Sequence, residues 1–414
     1  MRVWRWIIAV LVLGAGILSW RVLSVSVRHH EDVPASAEMV RRGAYLVRVG
    51  DCLVCHTRAG GAAYAGGREF DLGAMGTLYS PNITPDRETG IGNWSDDDVR
   101  AALQLGIGRG RKHLYPVFPY ASFTLLSDAD ALAIKAYLFS LPPVHATAPP
   151  NHMRFLFNLR ILMAFWSALF NPNQRYVPDP QQSDPWNRGR YLVEGLGHCG
   201  ECHTPRNIMQ ARKSSAAYAG AVAQRWHAYN ISSDAKTGIG AWSDDALISY
   251  LSTGHAEGHG TASGPMAEIV QNSLQWLEPQ DIRAMVTYLR ALPPKAATDV
   301  GVAAQLPESE ADLAYGKSIY AGICANCHRT DGTGVNTPYQ TLRGATTLSA
   351  GHAVNLLQVI LAGSSLTTTA GETKMPSFAR GYGDAEVASV ANYAAKQLGG
   401  YHSGIGAADV HRQR

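Results

Sequence analysis

The sequence of 414 residues contains few cysteines and little charge of either sign. All six cysteines lie in three Cys-x-x-Cys pairs, so no thiol remains for a disulfide or a separate nucleophile. Charged residues make up 17%, the formal net charge is +3, and Lys and Arg are dispersed rather than gathered in a stripe. Nothing in this pattern indicates nucleic-acid binding. The chain also lacks a nicotinamide fingerprint, a Walker loop and any flavin- or pterin-like site, so catalysis is assigned to a partner.

Each cysteine pair is followed directly by a histidine. A Cys-x-x-Cys-His run is the attachment site of a c-type haem: each thiol adds across one vinyl group, and the histidine becomes the proximal iron ligand. The sequence therefore predicts three covalent haem c groups. The predicted residues are Cys52, Cys55 and His56 in the first site, Cys199, Cys202 and His203 in the second, and Cys324, Cys327 and His328 in the third.

Two other uses of paired cysteines fit the sequence less well. A zinc ribbon needs two pairs about 15–20 residues apart in one small module, whereas these pairs are separated by whole domains. A thioredoxin-like redox pair needs a βαβ pattern around one Cys-x-x-Cys, and the surrounding sequence is not of that kind. Haem attachment is the interpretation retained.

The N-terminus carries the longest apolar run, Ile7–Trp20, preceded by Arg2 and Arg5. Together with Val22–Val27 it approaches the roughly 20 residues that span a bilayer, which predicts a transmembrane helix with the haem domains in the periplasm. The alternative is a cleaved signal peptide, because residues 35–37 read Ala-Ser-Ala, like a small-residue cleavage site. Either interpretation predicts haem domains outside the cytoplasm, and the first places the chain in the inner membrane.

Three repeats follow. A helical stretch with Gly and Tyr precedes each haem motif, a second helix closes each repeat, and the loop 82–97 recurs as 230–245, which indicates duplication. We predict a mainly α fold with three tandem cytochrome c-type haem domains after an N-terminal transmembrane helix. The predicted boundaries are 1–30 for the anchor, 35–150 for domain 1, 151–180 for an aromatic-rich linker helix, 181–297 for domain 2, 298–310 for a linker, 311–400 for domain 3 and 401–414 for a frayed tail.

The linker helix spans Phe155–Phe170 and is rich in aromatic and aliphatic residues. It is too short, and too interrupted by Arg154 and Arg160, to predict a membrane span. We interpret it as an interfacial or partner-facing helix, with inter-domain packing as the alternative.

The second axial ligand of each iron sets the redox role of that haem. Met266 and Met375 precede the closing helices of domains 2 and 3 and are the predicted ligands there. Domain 1 carries Phe118 where domain 2 carries Met266. His113 is the nearest donor in that loop and is the preferred ligand. Two alternatives remain open. In one, Met75 is the second ligand. In the other, the iron has no second protein ligand and His113 is an ordinary loop histidine. Ligation by His113 would give the first haem the lowest potential of the three.

The repeated Asn-Ile-Thr-Pro-Asp and Thr-Gly-Ile-Gly-x-Trp-Ser loop, together with the three haem motifs, resembles the tri-haem cytochrome c subunits of bacterial membrane-bound dehydrogenases. The resemblance covers roughly residues 38–400. It implies that electrons pass from a periplasmic catalytic subunit, oxidising an alcohol, aldehyde or sugar, through three haems to ubiquinone. The segment 113–120 is similar to cytochrome subunits paired with molybdenum hydroxylases, which favours an aldehyde dehydrogenase partner over a quinoprotein alcohol or flavin sugar dehydrogenase.

Two functions of other classes remain. The chain could be a haem enzyme, such as a peroxidase, that uses the first haem, or a free-standing electron carrier. Carbon monoxide binding to the reduced protein distinguishes a haem enzyme from an electron-transfer subunit. An enzyme haem should bind carbon monoxide, whereas an iron with both axial positions filled has no vacancy for a small ligand. Solubility without detergent and the absence of a co-purifying subunit would indicate a free-standing carrier.

Overall fold

The computed structural model describes residues 32–297, 308–350 and 353–414, and the isolated positions 6, 14 and 16. These residues are mainly helical and form two compact units. Of the described residues, those up to 198 and residues 208–211 form the first unit, and residues 199–207 and those from 212 onward form the second. The predicted division into three domains stays a prediction.

The first unit contains short and medium helices with two small antiparallel sheets. Its helices are α1 (Ala37–Val49), α2 (Cys52–Cys55), α3 (Asp96–Leu105), α4 (Tyr120–Phe123), α5 (Asp128–Ser140), α6 (Ile161–Phe170) and α7 (Asp184–Arg190), followed by a π-helical turn at Tyr191–Leu196. Its strands are β1 (Glu69–Asp71), β2 (Gly76–Tyr79), β3 (Ile107–Gly108), β4 (Lys112–His113) and β5 (His152–Met153). The pairings are β1–β2–β5 and β3–β4.

The second unit repeats this style of construction. Its helices are α8 (Gly200–His203), α9 (Asp244–Thr253), α10 (Pro265–Asn272), α11 (Pro279–Ala291), α12 (Glu310–Ile319), α13 (Ala325–His328), α14 (Thr346–Ser349), α15 (Val354–Ala362), α16 (Asp384–Gly399) and α17 (Ala407–Gln413), with a π-helical turn at Tyr320–Cys324. Its strands form three hairpins: β6 (Ala221–Ala223) with β7 (Trp226–Ala228), β8 (His255–Ala256) with β9 (Gly260–Thr261), and β10 (Ser364–Thr368) with β11 (Gly371–Met375).

Two helix crossings depend on glycine. In the first unit, α1 packs on α5, and a Cβ on Gly43 would collide with the carbonyl oxygen of Ala133. In the second unit, α12 packs on α16, and a Cβ on Gly316 would collide with the carbonyl oxygen of Ser389. The backbones therefore approach more closely than any side chain would allow. This is the physical reason for the glycine that precedes the first and third haem motifs.

The duplicated loops make the same hydrogen bonds. Asn82 donates through its side-chain amide to Val144 O at 2.7 Å, and its oxygen accepts from Thr84 N at 2.9 Å. Asn230 likewise donates to Lys295 O at 2.7 Å and accepts from Ser232 N at 2.8 Å. Each asparagine joins its loop to the segment that follows the closing helix. The duplication inferred from sequence is therefore also a repeat of tertiary contacts.

The predicted N-terminal transmembrane helix requires a correction. Among the residues that the structure describes, no helix combines the length and the apolar character needed to cross a membrane. The fold assignment is therefore restricted to the mainly helical haem-bearing part of the chain. The apolar run Ile7–Trp20 lies outside the described residues, apart from positions 14 and 16.

The C-terminal tail, predicted to be frayed, forms helix α17 and packs against α16. Val410 is fully buried there. The carboxylate of Glu308, whose side chain is only 1% exposed, accepts hydrogen bonds from Ser403 N at 2.8 Å and Gly404 N at 3.1 Å and pairs with His402 at 2.7 Å. The tail is docked because one buried carboxylate collects these donors.

Replacing Gly316 by Ala should destabilise the third haem-bearing segment, because the new methyl group must push α12 away from α16. Overpacking of this kind costs about 1–3 kcal/mol. Urea unfolding should show a lower midpoint for Gly316→Ala, and for Gly43→Ala in the first unit. Gly381→Ala is the control, since no atom lies within 4 Å of the place that its new Cβ would take. Equal midpoints for Gly316→Ala and Gly381→Ala would contradict the steric explanation.

Docking of the tail should depend on pH through Glu308. Burial acts to raise the pKa of Glu308, but hydrogen bonds from Gly404, His402 and Ser403 outweigh it and lower the pKa below its ordinary value of 4.5. A carboxylate with a lowered folded-state pKa adds stability above its unfolded pKa and loses it as the pH falls through the folded value. The protection factors of the amides of residues 401–413, which correct for the intrinsic slowing of exchange in acid, should therefore be high at pH 7 and fall below about pH 4.5.

Two variants separate this effect from general acid unfolding. Glu308→Gln should exchange faster already at pH 7, because the neutral amide is a weaker acceptor for the three donors. Glu372→Gln removes an exposed carboxylate from the same part of the chain and should leave exchange in the tail unchanged. Slow exchange in Glu308→Gln at pH 7 would show that the carboxylate does not hold the tail.

Candidate haem-binding sites

The three Cys-x-x-Cys-His motifs lie on single helical turns, α2, α8 and α13. The second and third turns each follow a π-helical turn, Tyr191–Leu196 and Tyr320–Cys324. π-Helical turns widen the backbone spiral and occur often at functional sites. None of the six cysteines is in a disulfide. Each motif thus presents two thiols and an imidazole from one short stretch of backbone.

The histidine of every motif is oriented by a backbone carbonyl. His56 Nδ1 lies 2.8 Å from Pro81 O, His203 Nδ1 lies 2.6 Å from Tyr229 O, and His328 Nδ1 lies 2.6 Å from Gln340 O. A carbonyl can only accept, so Nδ1 carries the proton and Nε2 keeps its lone pair. This is the arrangement by which metal-ligating histidines are held in the correct tautomer and ring orientation.

The protonation states of the motif side chains suit haem attachment rather than dithiol chemistry. Burial lowers the pKa of His56, His203 and His328, which keeps each imidazole neutral and able to bind iron. Burial raises the pKa of the Cys52 and Cys199 thiols to about 12. Redox-active Cys-x-x-Cys pairs have thiol pKa values shifted downward. The opposite shift here is evidence against a dithiol redox site.

Two arginines support the motifs and were not found by sequence reasoning. Arg68 donates to Val54 O at 3.0 Å, and Arg206 donates to Glu201 O at 3.0 Å. Val54 and Glu201 are the corresponding residues of the first and second motifs, each directly before the second cysteine. The arginines stand at different distances from their motifs in sequence, so no common spacing reveals that they do the same thing.

The two methionines predicted as iron ligands belong to neighbouring elements of the second unit. Met266 lies in the first turn of α10, and Met375 is the last residue of β11. Both are half-buried. Helix α10 packs on β10, where Thr367 N donates to Gln271 Oε1 at 3.1 Å. Strand β10 pairs in turn with β11, so the elements that carry Met266 and Met375 are linked through β10, and the ligand roles of both stay predictions.

His113 does not occupy the position that Met266 occupies. Hairpin β3–β4 pairs Ile107 with His113, and hairpin β8–β9 pairs His255 with Thr261 in the same register. His113 thus corresponds to Thr261, and Phe118 corresponds to Met266, because each follows its hairpin residue by five positions. The correspondence by structure agrees with the one read from sequence.

The surroundings of His113 differ from those of the three motif histidines. Its Nδ1 is buried without a hydrogen-bond partner, and burial, with a smaller effect of Arg111, lowers its pKa. Phe118 packs edge-on against Phe123, with ring centroids 5.4 Å apart. Met75, the other candidate, lies half-buried in a short 3₁₀ turn. No carbonyl orients this imidazole as the motif histidines are oriented, and the assignment of His113 as a ligand stays a prediction.

No group of three or more His, Cys, Asp and Glu side chains in the described ranges is arranged to hold a metal ion by itself. A haem iron needs only one histidine and one further donor from the protein, since the porphyrin supplies the other four. The residues present, one carbonyl-oriented histidine and two thiols at each motif, fit a covalently bound haem.

Comparison with known proteins agrees with this chemistry. The model of the Cytochrome c family matches residues 40–142 and 313–396. The chain is 37% identical to the fructose dehydrogenase cytochrome subunit of Gluconobacter japonicus over 412 residues, which covers 93% of this chain and 85% of that protein. The chain belongs to the family of cytochrome c subunits of bacterial membrane-bound dehydrogenases.

Other members of this family are similarly close. The chain is 36% identical to the gluconate 2-dehydrogenase cytochrome c subunit of Pantoea cypripedii, covering 93% of this chain and 90% of that protein. It is 42% identical to a nicotinate dehydrogenase subunit of Pseudomonas putida over 93% of this chain, and spans 32% of the length of that protein. As a cytochrome c subunit, the chain carries covalently bound haem c, transfers electrons and works with a catalytic dehydrogenase subunit. These parts of the prediction are confirmed.

Replacing Phe118 by Met should give the first haem of this cytochrome c subunit the thioether that Met266 provides at the corresponding position. Met ligation stabilises the reduced iron and raises its potential. We expect a rise on the order of 0.1 V in one of the resolved midpoints, within the roughly 0.8 V range that axial ligands set. Phe123→Met is the control, because Phe123 packs beside Phe118 in the same aromatic group. Equal titrations of Phe118→Met and the parent protein would contradict the correspondence.

Proposed function

We propose that the chain is the electron-transfer subunit of a periplasmic membrane-bound dehydrogenase complex, and that it passes electrons from a catalytic subunit through three c-type haems to ubiquinone. The observation that carries the proposal is the threefold repeat of one geometry. At His56, His203 and His328 a backbone carbonyl accepts a hydrogen bond from Nδ1–H and leaves Nε2 for iron. One motif of this kind would support a single haem, and three support three.

The residues of the chain hold and orient the haem groups rather than react with substrate. Each bound haem supplies one-electron transfer at its iron. The cysteines of each motif would hold the porphyrin by thioether bonds, and the motif histidine would bind its iron. We propose that Met266 and Met375 would supply the second iron ligand in the second and third sites, and that His113 would do so in the first. Iron held by two protein ligands would have no vacancy for substrate.

The substrate belongs to the catalytic partner. The relatives are named for dehydrogenases of nicotinate, fructose, gluconate and alcohol, although the subunits compared are all similar to this one chain. The same type of electron-transfer subunit therefore serves different oxidations. We propose a molybdenum aldehyde dehydrogenase type of partner, which the likeness of segment 113–120 to subunits of that kind favours, ahead of a quinoprotein alcohol or flavin sugar dehydrogenase.

The location follows from the cofactor. Thioether attachment of haem takes place outside the cytoplasm in bacteria, so we propose that the haem-bearing part lies in the periplasm. Transfer to ubiquinone requires contact with the inner membrane, where the quinone is dissolved. Neither statement depends on a transmembrane helix in the described residues.

A haem enzyme is the second candidate, and one observation favours it. Phe118 stands where Met266 stands in the second repeat, and a phenyl ring cannot ligate iron. If His113 also stays off the iron, the first haem has an axial position open to a small ligand. Carbon monoxide should then bind the reduced protein at one haem, whereas six-coordinate irons predict little spectral change. Carbon monoxide binding should also be compared between His113→Ala and the parent protein. Binding that appears only in the variant would show that the imidazole of His113 occupies the iron position.

The haem count is the direct test of the proposed function. A pyridine haemochrome assay on the purified chain should give three covalent haems per molecule, resistant to acid acetone. The paired substitution Cys324→Ala and Cys327→Ala should reduce the count to two, because the third motif then has no thiol to alkylate. Purification of the native complex should yield a large catalytic subunit whose substrate reduces a ubiquinone analogue. Fewer than three haems in the parent protein, or no co-purifying dehydrogenase, would contradict the proposal.

A further inference from the structure

An exposed apolar surface covers the segment between the first two haem repeats. Its most exposed members lie before and along α6, and none of them is in the interior of the first unit. The surface, called here the linker surface, comprises Phe155 (79% exposed), Leu156 (52%), Phe157 (40%), Leu159 (43%), Ile161 (56%), Leu162 (39%) and Leu169 (55%). Single exposed apolar residues are normal in soluble proteins, but a contiguous group of this size marks an interaction site.

The segment that carries the linker surface is fixed to the first unit by contacts of Trp166 and Tyr115. Trp166 is 8% exposed and packs edge-on against Tyr120, with ring centroids 5.8 Å apart, and its Nε1 donates to Met209 O at 2.7 Å. Ahead of the helix, Tyr115 OH donates to Phe157 O at 2.9 Å. The segment is therefore anchored through Trp166 and Tyr115, and its remaining apolar side chains stay exposed although the backbone is fixed.

Hairpin β3–β4 stands beside this segment. Arg160 Nη1 donates to His113 O at 2.7 Å, and its guanidinium lies 4.5 Å from the ring centroid of Tyr115. Two cations of the hairpin are exposed: Arg109 in its turn and Lys112 at the start of β4. Arg154, also exposed, directly precedes the linker surface. Cations therefore flank the apolar side chains on two sides.

The charge of these stretches has one sign. No Asp or Glu occurs in residues 99–127 or in residues 131–178, although Arg or Lys occurs repeatedly in both. Aromatic and aliphatic side chains bordered by Lys and Arg, without carboxylates, are typical of helices that lie in the plane of a membrane interface. Anionic headgroups attract such cations by about 1 kcal/mol for each Lys or Arg close to the membrane surface. An ordinary protein partner would not require the carboxylates to be missing.

We propose that the linker surface docks on the surface of an anionic phospholipid bilayer, with Phe155, Leu159 and Ile161 in the headgroup–acyl boundary and the cations of hairpin β3–β4 against lipid phosphates. Helix α6 has ten residues, which is too short to cross a bilayer, so the contact is interfacial. The inference rests on the proposed placement of the chain at the inner membrane. It names the part of the chain that meets the lipid.

Hydrogen–deuterium exchange on the full haem-loaded chain tests the proposal locally. Vesicles of phosphatidylglycerol and phosphatidylcholine should slow exchange at residues 154–160 by about tenfold, as expected for backbone moved into the interface. Vesicles of phosphatidylcholine alone should protect the segment less, and high salt should reverse the difference. A peptide readout is needed because it reports this segment, whatever other part of the chain contacts lipid.

Three variants complete the test. Phe155→Ser with Ile161→Ser should abolish protection by removing apolar contact, and Arg109→Glu with Arg154→Glu should abolish it by repelling headgroups. Val177→Ser is the control, because this side chain is 69% exposed but lies outside the linker surface. Vesicles should protect residues 154–160 in this variant as they do in the parent chain. Covalent haem content should stay at the parent value in all three, so loss of lipid contact is distinguishable from failure of the proposed electron-transfer role.

The remaining outcomes overturn the proposal. No protection with either kind of vesicle excludes lipid docking at this surface. Equal protection by neutral and anionic vesicles, insensitive to salt, excludes the role of the cations. Protection of residues 154–160 by the catalytic subunit in detergent, without vesicles, assigns the linker surface to the protein partner instead.

Discussion

The hydrogen bond between a motif histidine and a distant backbone carbonyl is the interaction on which the function of this chain depends. An imidazole can present either nitrogen, and it rotates freely unless something holds it. The carbonyls of Pro81, Tyr229 and Gln340 remove both freedoms at once. They come from loops well beyond each motif, so the loops after the motif are as much a part of each site as the cysteines. This explains why loops of the first two repeats are tied down by the same asparagine contacts.

Close helix crossings supply the second constraint. Haem is a large apolar group, and the short repeats around it have little other core to bury. Gly43 and Gly316 allow the helix before the motif and the closing helix to meet backbone to backbone. Packing at each of these two crossings therefore depends on one small residue.

The first repeat departs from the second at one position with wide consequences. Phe118 replaces the methionine and packs with Phe123 in an aromatic group that includes Tyr120 and Trp166. Trp166 belongs to the linker helix, so the aromatic group that contains Phe118 also anchors the linker surface. Nearby in the same unit, the Nδ1 of His113 is buried without a hydrogen-bond partner.

The amino-acid sequence alone determined the haem motifs, the repeat of the loops, the closing helices and the family, because each is written in residues close together along the chain. It also predicted a transmembrane helix, which the described residues do not contain, and a frayed tail, which is docked on Glu308. Only the tertiary structure decided which carbonyl holds each histidine, that Arg68 and Arg206 support corresponding residues, and that the linker exposes one side while Trp166 is buried. These contacts join residues that are far apart in sequence, and the separation differs from one repeat to the next. A sequence pattern reveals a contact only when its spacing recurs, so these contacts could not be predicted.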